Sequence, residues 1–60
     1  MRILVIEDEK KTAAFLAKGL REAGFAVDLA QDGETGLEVA HTTKFDLLIV
    51  DIMLPDKDGW

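Results

Sequence analysis

The sequence predicts an α/β domain built on a parallel sheet, with elements in the order strand, helix, strand, helix, strand. Three observations carry this. Residues 3–6 (Ile-Leu-Val-Ile) and 47–50 (Leu-Leu-Ile-Val) are continuous apolar runs, the pattern of strands buried on both faces. Each run ends on acid, Glu7-Asp8-Glu9 in the first case and Asp51 in the second. Helical spacing and a third, more polar strand pattern fill the interval between them. Right-handed crossovers then give the strand order 2-1-3. That order sets the carboxyl ends of the first and third strands side by side and brings Asp8 together with Asp51, where open α/β sheets bind their ligands.

The elements follow in order. Over residues 9–23, Ala13, Leu16, Ala17 and Leu20 fall at i, i+3, i+4 and i+7, one apolar stripe of a helix, with Phe15 beside it. Gly24 stands where a left-handed glycine ends a helix. Residues 25–30 alternate, with Phe25, Val27 and Leu29 on one face and Ala26, Asp28 and Ala30 on the other. A charge inside that strand suits a sheet edge. Asp32 is placed to cap a second helix, which runs to about Thr42 with Gly33, Gly36, Leu37 and Ala40 as its inner face. Pro55 stops helical continuation after the last strand, so Asp51 opens onto a loop.

The chain has 60 residues, no cysteine, twelve acids against seven bases and a net charge of −5. A domain of this size buries only about 60% of its unfolded surface, and no disulfide can reinforce it. A doubly wound sheet continues past three strands, so the chain reads as the first half of a larger domain. The acidic balance argues against this segment binding nucleic acid, which takes clustered Lys and Arg. No run approaches the length that spans a membrane, and the apolar start is too short for a signal peptide. The expected location is the cytoplasm.

Glu7, Asp8 and Asp51 converge in this topology. Carboxylates in a small space repel, so either a pKa rises or a cation neutralises them. Mg²⁺ suits such a site because it takes oxygen ligands, one or two carboxylates among them, and keeps waters and phosphate oxygens. It also suits phosphoryl transfer, in which a carboxylate can be the nucleophile. The plain alternative is a set of solvated strand-end acids, or a helix-capping Asp.

Residues 3–9, then Asp51-Ile52-Met53-Leu54-Pro55 and Gly59, resemble the receiver domain of two-component response regulators, which has a flavodoxin-like fold. Lys10-Lys11-Thr12, Lys18-Gly19-Leu20, Ala23-Gly24-Phe25 and Gly59-Trp60 add a likeness to the copper and heavy-metal regulators of the OmpR type. The resemblance implies that Asp51 accepts a phosphoryl group from a sensor histidine kinase, so that the chain is an acceptor rather than an enzyme. It implies that Asp8 binds Mg²⁺ directly, that Glu7 acts through metal-bound water and that the Met53 carbonyl is a further ligand. Pro55 and Gly59 would shape the loop. A DNA-binding output domain is implied downstream. The family's hydroxyl residue after the fourth strand and lysine after the fifth have no counterpart here, and Lys57 is not that lysine.

Three competitors are weighed against this. An acid-nucleophile phosphatase needs a second Asp where Met53 stands. A dinucleotide site needs a glycine-rich turn where Glu7-Asp8-Glu9 stands. A receiver-like interaction module that never carries phosphate stays open. His41 reads as a solvated histidine near a helix end. Residues 47–50 present an outer edge with no charge or proline to interrupt it, so two chains are expected to pair there, antiparallel, in a six-stranded sheet.

Overall fold

The computed structural model describes residues 1–51. The elements are β1 (Arg2–Glu7), α1 (Lys10–Glu22), β2 (Ala26–Ala30), α2 (Gly33–Thr42) and β3 (Leu47–Asp51). The three strands form one parallel sheet in the order β2-β1-β3, as the crossover rule requires. In register, Ile6 lies between Ala30 and Val50, and Glu7 stands opposite Asp51.

Strand alternation sends β1 side chains to two faces, and each face builds its own core. Ile3 and Val5 pack with Ala17 and Val27, joined by the partly buried Leu16, Leu20, Phe25 and Ile49. This is the face under α1, and the predicted stripe of that helix is the one buried. Leu4 and Ile6 pack with Ala30, Val39, Ala40 and Phe45 on the face under α2.

Local chemistry fixes the boundaries. Asp32 caps α2, its Oδ1 accepting from the Thr35 N–H at 2.7 Å. Glu9 caps α1 in the same way, its Oε1 accepting from the Thr12 N–H at 2.8 Å. After α1, Gly24 takes a φ of +99°, the Gly24 N–H donates to the Arg21 carbonyl and the Phe25 N–H donates to that of Leu20. These two bonds make a Schellman ending, which a glycine at this position permits. At the amino end of the sheet, the Arg2 guanidinium donates to Asp28 at 2.7 Å and lies over the Phe45 ring. The charge expected at the β2 edge is therefore half of an exposed ion pair.

Two expectations are corrected. Residues 47–50 were read as buried on both faces, yet Leu47, Leu48 and Val50 are 45%, 49% and 61% exposed. The cause is coverage: among the described residues both helices pack over β1 and β2, and neither packs over β3. The inner face of α2 was read to include Leu37, which is exposed, whereas Val39 is half-buried. Gly36 and Ala40 do face inward, but the helix is rolled so that Val39, beside Ala40, meets the sheet and Leu37 faces out.

Candidate functional site

The site begins with strand register. Paired residues in a parallel ladder share a face. Ile3, Val5 and Glu7 follow one another at every second position, and Ile49 and Asp51 do the same on the neighbouring strand. Glu7 and Asp51 therefore stand side by side at the carboxyl ends of β1 and β3, on the α1 face. Asp8 is the next residue along, and α1 opens two residues later. A helix N-terminus beside these acids adds free N–H groups and a partial positive charge to the same end of the sheet.

The three acids differ sharply in environment. Asp8 and Asp51 are exposed. Glu7 is 5% exposed, and its Oε2 has no hydrogen-bond partner among the described residues. Burial pushes the Glu7 carboxyl above its ordinary pKa, and the charges of Asp51, Asp8 and Glu9 push it further, while the Glu9 backbone amide opposes them. An acid that is buried, with one oxygen unpartnered among the described residues and like charges facing it, is a site in deficit of positive charge.

A hard cation is the complement of that deficit, and the donor set fits one: carboxylate oxygens, among them the buried Glu7 Oε2, which has no partner among the described residues. Among the described residues, no three His, Cys, Asp or Glu side chains are grouped to hold a metal by themselves. A Mg²⁺ ion does not require three, because it commonly takes one or two carboxylates and completes its shell with water and phosphate oxygens. Met53, Pro55, Lys57 and Gly59 lie outside the described residues.

Asp51 stands at the carboxyl end of β3, where the sequence placed it, and its neighbours are arranged differently from the expectation. Asp8 was expected to stand beside Asp51, but the direct register partner is Glu7. The signal was available: alternation from Ile3 through Val5 puts Glu7, not Asp8, on the face shared with Ile49. Glu9 was read with the acid cluster and is instead committed to its helix cap, which lowers its pKa through the Thr12 amide and hydroxyl. Here too the spacing of an acid three residues before Thr12 held the information. His41 is an exposed residue in the last turn of α2, where a cation is favoured by the helix dipole.

Cavities separate into two kinds. Glu7 borders a small one of about 110 Å³, shared with Lys10, Ala13, Ala14, Leu29, Ala30 and Gln31. A larger hollow of about 480 Å³ runs along α1 past Phe15, Leu16 and Leu20, away from the acids.

A parallel sheet in this order, with an acid pair closing its central strand and a further acid closing the neighbouring one, defines a receiver module. Residues 3–60 match the response regulator receiver domain, and the chain belongs to that family. Within it, the chain is 58% identical over 60 residues to the transcriptional activator protein IrlR of Burkholderia pseudomallei (strain 1026b). It is equally similar, 58% over 60 residues, to the transcriptional regulatory protein CusR of Escherichia coli (strain K12). The probable transcriptional regulatory protein SilR of Salmonella typhimurium is 57% identical over 60 residues. Each alignment takes in the whole of this chain and 26% of the relative, so the chain spans about a quarter of the length of these proteins. No solved structure matches it. Among the described residues, no helix is long and apolar enough to cross a membrane.

Proposed function

We propose that this chain is the phosphoacceptor part of a two-component response regulator, taking a phosphoryl group from a sensor histidine kinase onto Asp51. The supporting observation is the register that sets the buried Glu7 carboxylate, its Oε2 without a partner among the described residues, against Asp51. Asp8, Asp51 and the Met53 carbonyl would hold Mg²⁺, with Glu7 acting through metal-bound water. The ion offsets charge on the phosphoryl oxygens. An Asp51 carboxylate oxygen attacks phosphorus, the bond from phosphorus to the donor's imidazole nitrogen breaks, and the nitrogen keeps the electron pair. The product is an acyl phosphate on Asp51.

In the full-length protein this modification would control a DNA-binding output domain, in a cytoplasmic regulator of the heavy-metal type. The names of the relatives, all transcriptional regulators, support that reading. The segment itself, at a net charge of −5, would leave DNA contact to the output domain. A receiver-like module that never carries phosphate has no observation in its favour. The test is labelling of the full-length protein by a small phosphodonor. Labelling should need Mg²⁺ and vanish in Asp51→Asn, and labelling that survives either change would defeat the reading.

The reading extends to self-association of the 60-residue chain through residues 47–50. Three exposed apolar side chains on a strand that pairs only with β1 among the described residues support it. Two chains paired antiparallel about a two-fold axis would form a sheet in the order 2-1-3-3-1-2. Sedimentation across a concentration series should show a dimer that Val50→Lys dissociates. A monomer at every concentration would count against it.

A further inference from the structure

Gly36 is the one buried residue of α2, and it lies directly on the Ile6 side chain. A Cβ built at Gly36 would come within 2.8 Å of Ile6 Cγ1, and closer still to Cδ1. Real side chains do not approach so closely, so one partner would have to move. The Ile6 side chain can give only by turning within a packed core, and both partners are held. The helix is pinned four residues earlier by the Asp32 cap, which follows almost directly on Ala30, and Val39 and Ala40 pack into the same core beyond it. Ile6 is 6% exposed and is paired on both sides, with Ala30 and with Val50. Ile6 and Val50 are also the residues immediately before Glu7 and Asp51. A displacement of Ile6 is therefore passed through the ladder to the acid pair.

We infer that Gly36 is a positioning residue: its missing side chain lets α2 seat on Ile6 and so fixes the spacing of Glu7 and Asp51 from the opposite face of the sheet. The inference rests on the proposed reading of those acids as a cation and phosphoryl site. It differs from an ordinary packing role in that the cost of a side chain is felt at the site as well as in stability.

The experiment measures Mg²⁺ half-saturation, by NMR shifts of the metal-titrated full-length protein, beside thermal stability. Gly36→Ala should weaken Mg²⁺ binding by about tenfold, the order expected when site groups are misplaced by a fraction of an ångström or more. Val39→Ala loosens the same helix without intruding on Ile6, so it should lower stability and leave half-saturation within about twofold of the parent. Ile6→Ala removes the three atoms nearest the new Cβ, so the double variant Gly36→Ala/Ile6→Ala should bind Mg²⁺ within about twofold of the parent even if Gly36→Ala does not fold. A half-saturation concentration unchanged in Gly36→Ala, raised equally in Val39→Ala, or still about tenfold high in the double variant would overturn the inference. If the parent itself shows no Mg²⁺ response at these acids, it is the reading of the site that fails.

Discussion

Truncating Leu4 and Leu48 separately in the 60-residue chain tests whether β1 is the central strand and β3 lies uncovered. The two leucines are register partners on adjacent strands and share the α2 face of the sheet. Leu4 has no exposed surface, while Leu48 is 49% exposed. Leu4→Ala removes three carbons from a core formed with Ile6, Ala30, Val39, Ala40 and Phe45. Transfer and cavity terms together cost about 2–5 kcal/mol for such a change. The upper part of that range applies, because a strand paired on both sides cannot collapse into the gap. Leu48→Ala gives up only half of a side chain's burial, about 1 kcal/mol. A chain of this length has a total stability on the order of 3–9 kcal/mol, so Leu4→Ala should leave it near its unfolding threshold while Leu48→Ala is tolerated. Urea unfolding followed by circular dichroism, at a concentration low enough to keep the chain monomeric, reads both costs. Equal costs would refute the argument, since they would mean that β3 is as well covered in solution as β1.

Two further predictions concern pH. The Glu7 carboxyl is raised by burial and by neighbouring acids, so the fold binds its proton more tightly than the unfolded chain does. Its penalty is therefore absent below the unfolded pKa and grows as pH rises towards the folded one; Glu7→Gln should flatten that decline in urea midpoints measured against pH, and an unchanged slope would contradict it. Glu9 and Asp32 have the opposite sign: their pKa values are lowered by bonds from Thr12 and Thr35, so their contribution is present above the unfolded value and lost as pH falls through the folded one. Glu9→Ala and Asp32→Ala should each shrink the acid-side loss of stability, and helix content by circular dichroism that falls equally fast with acid in parent and variants would refute this.

Much of this fold was legible because each local signal pointed to the same arrangement. The apolar runs at residues 3–6 and 47–50, the α1 stripe, Gly24 and Asp32 each named an element or a boundary, and the right-handed crossover turned that list into the order 2-1-3. The burial of residues 47–50 was not legible. An apolar run reports the environment a strand suits, whereas exposure depends on which helices reach it, and neither described helix packs over β3. The roll of α2 was missed for a related reason: Leu37 and Val39 flank the same inward face, and only the seat of Gly36 on Ile6 decides between them. At the candidate site, the position of Asp51 at the carboxyl end of β3 was legible from the apolar run before it. That Glu7 is the direct register partner of Asp51 was missed because the acids were counted as a cluster and not assigned to faces by alternation.

The central claim is that Asp51 is the residue that carries phosphate, and locating the modification tests it most directly. Full-length protein treated with Mg²⁺ and a small phosphodonor would be trapped by borohydride, which reduces an acyl phosphate at the modified aspartate, and then mapped by peptide mass spectrometry. The account predicts reduction at Asp51 alone, with Glu7 and Asp8 unmodified. Reduction at Asp8 or Glu7, or a trapped site that persists in Asp51→Asn, would contradict it.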